Sequence, residues 1–491
     1  MQTQSRLRTT RITPNENKSF AIGTVLMVDD WYERLGLHEI IGRHKRKGID
    51  LDALVRGMLA YKLGDNFSVL RAGEWMSSPA VLDHYGLEPF NSRALYRAVE
   101  LLGQQRERIV LELQDAILGL CDLPSTDIVL DWTSLAYYGD EPRLAKYGYS
   151  RDHQPGERQL TLGVAQLAPP HNIPVGMTVE AGNVNDSDHF RRTYRQVRKV
   201  LMEGSLLVFD KGANAKVNLV AIEEDGHDYL TSKKLNKCDD KVFQAFDPRR
   251  WQLIDAEEGT YAFVHKFPSR VNYYFFSSKL KEDHEASLGR LAERKLEEAK
   301  TIQRSLDSGK GLPKRFCLRN PLVDVSYEYQ TKLTRMNEAA ALRFLVEKLR
   351  TGREGYFCLT SNRDMPPAEA LARYRAKDAV EKLFHSLKSE LRVRPIRVWS
   401  EDAVYGVLLL SFIAQLMVCL TRLTVEPART VATKFIASSL EKLTVTVVAT
   451  EDGWKRRFYS NFDPMNEAIL TTFMGESRVS ALENEGETAC S

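Results

Sequence analysis

The sequence has few of the features that would fix a compartment or a cofactor outright. Its six cysteines (Cys121, Cys238, Cys317, Cys358, Cys419 and Cys490) are scattered and form no C-x-x-C pair, which argues against a zinc site and against a disulfide framework. The N-terminus, MQTQSRLRTTRITPNENKSF, is basic but lacks the apolar core of a secretory signal. No internal repeat is evident. Charge of neither sign dominates, and a net of +3 neither demands nor forbids a polyanionic partner. Long apolar runs are also scarce. The one exception is AVYGVLLLSFIAQLMVCL at 403–420, 18 residues without a charge and close to membrane-spanning length. Gln415 sits inside it and the rest of the chain has the texture of a soluble protein, so the run is read as a buried helix with no membrane partner. A reducing cytoplasm is the expected setting.

What is present divides the 491 residues into several blocks, since a chain of this length exceeds one ordinary domain. Residues 1–120 carry amphipathic helical periodicity in LDALVRGMLAYKL and SRALYRAVELLGQQRERIVLELQDAILGL, and are expected to form a helical N-terminal domain. From 121 to 232 the texture becomes strand-like. STDIVLDWTSLAYYG, RQLTLGVAQLA and IPVGMTVEAGN are joined by turn-rich segments and suggest an antiparallel meander. Asn185, Asp186 and Ser187 can then cap a helix through HFRRTYRQVRKVLME. The strand SLLVFD, the helix NAKVNLVAIEEDG and the strand HDYLTS complete a β-β-β-α-β-α-β order. Residues 233–360 break this order with aromatic strands (YAFVHKF, VNYYFFSSKL, VDVSYEYQTKL) and a charged helix, and are expected to be an inserted subdomain. Trp251, the one tryptophan in that block, is read as core. Residues 361–425 return to the main fold, and 426–491 form a C-terminal region with an acidic tail.

Local charge says more than the total. Residues 371–397 carry eight Lys/Arg, including Arg392 and Arg394, against Asp378, Glu381 and Glu390. On a helix of about 100° per residue, Tyr374, Lys377, Glu381 and Lys388 fall within an arc of roughly 60°. Val380, Leu383, Phe384, Leu387 and Leu391 occupy a neighbouring apolar face that can dock on a core. The pattern predicts one helix holding Glu381 at the margin of a buried surface, flanked by positive charge.

Two further acids follow apolar strand residues: Asp131 in IVLDWTSL and Asp210 in SLLVFD. Partly buried carboxylates are costly unless paired or bound to a cation. In the β-β-β-α-β order the first and fourth strands are commonly adjacent, which would set Asp131 beside Asp210, where like charges resist joint ionisation. A divalent cation is the usual remedy. Taken singly, a strand-end Asp is an ordinary turn or cap residue and Glu381 an ordinary helix residue; the combination is what points to chemistry.

Together these segments resemble the DDE transposases of prokaryotic insertion sequences, specifically the subgroup with a Y-(2)-R-(3)-E-(6)-K signature. The resemblance covers roughly 121–425 and rests on the text around Asp131, GNVNDSDHF, VFDKGANAKVN at Asp210, and the signature Tyr374, Lys377, Glu381, Lys388. Lys377 stands where the family has arginine, keeping the charge but losing a planar bidentate grip on phosphate. The resemblance implies an α/β fold with a ribonuclease H-like core, interrupted by a β-rich insertion ahead of the glutamate helix. It implies that Asp131, Asp210 and Glu381 hold two Mg²⁺ or Mn²⁺ ions for DNA cleavage and strand transfer. Tyr374, Lys377, Lys388, Arg392 and Arg394 are the expected DNA contacts. The implied partners are terminal inverted repeats and target DNA, in a synaptic complex of two protein copies on the chromosome, with the N-terminal helices binding the ends. Two alternatives stay open from the residues: a ribonuclease H-like nuclease that does not join, and a transposase-derived DNA-binding protein without catalysis.

Overall fold

The structure is a computed structural model. It describes residues 18–489 except 46, 65–67, 122, 139–142, 153, 155, 310–321, 323–335, 392, 394–395, 450–454 and 485–487. The chain forms two compact units, one made of Met1–Asp228 with Arg375–Ser491 and the other of Tyr229–Tyr374.

In the first unit the β-β-β-α-β order appears as expected: strands Ile128–Tyr137, Arg158–Leu167 and Pro174–Ala181, helix Asp186–Val197, then strand Leu206–Phe209. The three long strands form an antiparallel meander, and Leu206–Phe209 joins its open side parallel to Ile128–Tyr137. Nine of ten positions in Ile128–Tyr137 are buried, Asp131 being the half-buried exception. A strand buried on both faces needs a cover on each. Side chains alternate between faces, and the contacts follow that alternation. Trp132 turns its indole N–H to Thr193 on helix Asp186–Val197, while Asp131 and Thr133 turn toward Lys377 and Lys388. Asn185 is the cap of Asp186–Val197, accepting the Asp188 N–H.

The apolar run lies in helix Glu401–Thr424, which Ser400 caps. It is long and apolar enough to cross a membrane, yet every residue of its most apolar 18-residue stretch is buried inside the protein. It packs on helix Arg93–Gln104. A Cβ on Gly103 would stand 1.8 Å from the Asp402 carbonyl oxygen, and one on Gly406 1.9 Å from that of Val99. The two helices therefore meet backbone to backbone, each through a glycine.

That contact bears on the expected boundary at 120. Trp31 donates to Thr421 at 2.8 Å, and strand Lys18–Ala21 pairs antiparallel with Thr444–Ala449. The N-terminal helices thus belong to the same unit as the C-terminal region. The physical reason is that their apolar faces are completed by residues some three hundred or more positions later, a pairing that local periodicity does not reveal.

The second unit, Tyr229–Tyr374, contains residues 233–360 and extends beyond them at both ends. Strands Tyr356–Ser361, Arg270–Ser277, Thr260–Phe267 and Gln252–Asp255 pair antiparallel in that order. Trp251 is 6% exposed, buried with Phe243, Tyr274 and Cys358, as its reading as core requires. The charged sequence forms helix Ser278–Asp307 and packs on Glu338–Leu349 through Ala292, Leu296, Ala299, Ala341 and Leu345. The strand-like VDVSYEYQTKL lies outside the described residues.

Candidate active site

The parallel pairing sets Ile128 opposite Leu207 and Val129 opposite Val208. Continuing that register by two residues brings Asp131 level with Asp210, the residue just after the second strand ends. Register in a parallel pair also gives level residues the same face. The turn after Asp210 is held locally: its carboxylate accepts the Lys211 N–H at 2.7 Å and its carbonyl the Ala213 N–H at 3.1 Å. Buried Asn218 ties Ala213 to Ser187 at the start of the flanking helix.

Glu381 comes from the other side of the sheet. The expected single helix is divided into three parts: helix Pro367–Arg375, helix Asp378–His385, and a wider π-turn over Ser386–Glu390 closed by the Leu391 N–H on the Ser386 carbonyl at 2.8 Å. Lys377 is the N-cap residue of the middle part. The apolar face survives these breaks, since Val380, Leu383, Phe384, Leu387 and Leu391 are all buried, which is why periodicity alone showed one helix. Asp378 and Glu381 lie in the first turn, where the helix dipole favours carboxylates.

Lys377 is the meeting point. Its ammonium, on a side chain 11% exposed, lies 3.3 Å from Asp131 Oδ2 and 3.1 Å from Glu381 Oε1. Those two carboxylates are therefore separated by no more than the two contacts laid end to end. Burial pushes the Asp131 carboxyl above its usual range, against the opposing pull of Lys377, the Trp132 N–H and Arg151. Burial also weighs against the Lys377 charge, but Asp131, Glu381 and Asp210 outweigh it and raise the lysine above its ordinary value. All three acids thus act on one cationic position. Carboxylate oxygens beside a favoured positive charge are the donor type a hard divalent cation takes. Among the described residues no three Asp, Glu, His or Cys side chains close on one another as a ready-formed metal site; here Lys377 bridges Asp131 and Glu381.

The remaining predicted residues are placed differently. Lys388 donates to Thr133 Oγ1 at 2.7 Å, the Ser134 carbonyl at 2.8 Å and Asp152 Oδ1 at 2.8 Å, so its ammonium is engaged within the protein. Tyr374 is half-buried and closes the second unit. Arg392 and Arg394 lie outside the described residues. Sequence reasoning missed Arg151 and Asp152. Arg151 binds Asp186 Oδ2 at 2.8 Å and its main-chain N–H donates to Ser134 Oγ at 2.6 Å. The available signal was Thr133-Ser134, two hydroxyl residues in an otherwise apolar strand, which need buried partners.

The sequence matches the family described as "Transposase DDE domain" over residues 122–417. The match spans more than half of the chain, and the protein belongs to that family. A solved structure described as the cryo-EM structure of a piggyBac transposase synaptic complex with hairpin DNA is also similar. It shows 10% identity and a TM-score of 0.40, covering 85% of this chain and 79% of that one. No curated protein matches the sequence.

Proposed function

We propose that this protein is a DDE transposase that cleaves and joins DNA at the ends of a prokaryotic insertion sequence. The observation that carries the reading is the convergence on Lys377: Asp131 from a strand and Glu381 from a separate helix both contact this cation, and Asp210, just past the end of the adjacent parallel strand, acts on its charge. The strand order and glutamate helix support a ribonuclease H-like core. The spacing Tyr374, Lys377, Glu381, Lys388 supports the Y-(2)-R-(3)-E-(6)-K subgroup, with lysine in place of arginine.

Asp131, Asp210 and Glu381 would hold two Mg²⁺ or Mn²⁺ ions, which supply activation of the attacking oxygen and charge neutralisation on the leaving one. The chain's own residues provide orientation. The strand pair fixes two acids by main-chain register, and the helix presents the third from the opposite side. Lys377, once it exchanges its carboxylate contacts for a phosphate oxygen, would steady the backbone beside the scissile bond as a point charge. Tyr374, Arg392 and Arg394 would extend the DNA contacts, and the N-terminal helices would read the inverted repeats. Cleavage and joining are then one in-line displacement with two nucleophiles, water first and a 3′-hydroxyl second. The protein would act as a homodimer in a synaptic complex with end and target DNA, on the chromosome in the cytoplasm.

The test is an assay on DNA carrying the element's ends, with and without Mg²⁺. Metal-dependent nicking followed by joining is the expected result. Nicking without joining would leave a nuclease, and end binding without either would leave a DNA-binding protein.

A further inference from the structure

The Lys388 ammonium donates to Thr133 Oγ1, the Ser134 carbonyl and Asp152 Oδ1, all within 2.8 Å. The lysine and aspartate side chains are 11% and 8% exposed. Two of the acceptors directly follow Asp131-Trp132 on the same strand, and the lysine sits on the helical segment seven residues beyond Glu381. The tie therefore joins the strand bearing one acid to the helix bearing another. The third acceptor is anchored to the same place, since the N–H of neighbouring Arg151 donates to Ser134 Oγ. The π-turn over Ser386–Glu390 lies at this point; such turns re-aim side chains and gather at functional sites. A phosphate would have to strip a buried ammonium of a carboxylate and two further acceptors to gain one contact, an unfavourable exchange.

We propose that Lys388 and Asp152 form a clamp that sets the position of Glu381 relative to Asp131, making them positioning residues of the active site and not DNA contacts. The proposal rests on the reading of Glu381 as a catalytic acid.

The experiment compares the full-length wild type with Lys388→Met, Asp152→Asn, the double variant and Glu381→Gln. Three quantities are read: salt dependence of end-DNA binding, single-turnover nicking at saturating DNA, and Mn²⁺ binding by electron paramagnetic resonance. For Lys388→Met the salt slope should be unchanged, while nicking and Mn²⁺ affinity fall by about 10- to 100-fold, the range seen when partners behind metal ligands are removed. The double variant should be no worse than Lys388→Met, because the two residues act as one unit. A salt slope smaller by about one phosphate contact with full nicking at saturation would overturn the clamp in favour of a DNA contact. Unchanged nicking and Mn²⁺ affinity would overturn it as well. If Lys388→Met fails to fold, Thr133→Ala removes a single acceptor and must show the same pattern at smaller size. Glu381→Gln separates the two readings: if it still nicks DNA, the catalytic assignment fails, whereas a dead Glu381→Gln beside a fully active Lys388→Met sinks the clamp alone.

Discussion

Asp131 and Glu381 reach the same lysine from different kinds of backbone. Asp131 is 16% exposed and stands within a ladder that runs from Ile128 to Tyr137, with Asp210 just past the end of the strand that pairs parallel to its start. Moving it means shifting a strand by two residues to keep its face. Glu381 is 58% exposed and sits on a helix of only eight residues that begins at a break and ends in a π-turn. Its position depends on side chains: Lys377 before it and Lys388 after it. The main chain fixes one part of the site and side-chain ties fix the other, so the glutamate is the member that substitutions elsewhere can displace.

The largest effect tests whether the two parts are equal in chemistry. Asp131→Asn, Asp210→Asn and Glu381→Gln should each lower nicking on the order of 10³-fold, taking several kcal/mol of lost charge stabilisation at about 1.4 kcal/mol per decade. End-DNA affinity in gel shifts should stay within about twofold, the scatter expected when no contact is lost. A glutamate variant that keeps near-normal nicking would break the comparison at its root.

The next effect concerns the helical side. Lys62 is fully buried and donates to the Leu391 carbonyl at the end of the π-turn, and burial pulls its pKa down from 10.5 to about 7. Between those values the unfolded chain holds a proton that the native chain has released, so this group makes stability rise with pH from about 7 toward 10. At about 1.4 kcal/mol per unit the rise is on the order of a few kcal/mol. Lys62→Met should flatten it, as read from urea midpoints at pH 6.5 and 9. An identical slope in both proteins would remove Lys62 from the account.

Smaller again is a wedge on the strand side. A Cβ on Gly163 would stand 2.7 Å from the Trp132 ring and 2.8 Å from Thr178 Oγ1. Gly163→Ala should cost about 1–3 kcal/mol of stability, with less loss of nicking than any acid variant, because the ladder resists displacement. A collapse of activity without loss of stability would show the strand acids to be as adjustable as Glu381. The smallest effect is Lys382→Ala. This lysine is 77% exposed and pairs with Asp378 one turn away, a contact worth roughly 0.3–0.5 kcal/mol. Measurable loss of nicking there would extend the site beyond the buried face.

The β-β-β-α-β order and the adjacency of its first and fourth strands were legible because apolar runs in that order leave few pairings. Two things were not. The helix breaks at 376–377 and in Ser386–Glu390 are invisible to a wheel, since the buried face from Val380 to Leu391 stays apolar through both. The role of Lys388 was hidden because its partners, Thr133, Ser134 and Asp152, lie more than two hundred residues away. A basic side chain on a helix edge reads the same whether it faces DNA or an acid in the fold.

The pairing of strand Lys18–Ala21 with Thr444–Ala449, and the glycine contact between helices Arg93–Gln104 and Glu401–Thr424, set a condition on biosynthesis. At about 5–20 residues per second, a ribosome makes the second half of these contacts on the order of 20–80 s after the first. Until then the leading helices emerge with apolar faces uncovered, in need of chaperone protection. A fragment of residues 1–120 should accordingly bind a dye for exposed apolar surface and melt without a cooperative transition. Translation halted before residue 444 leaves strand Lys18–Ala21 without its partner in the unit that also carries Asp131 and Glu381.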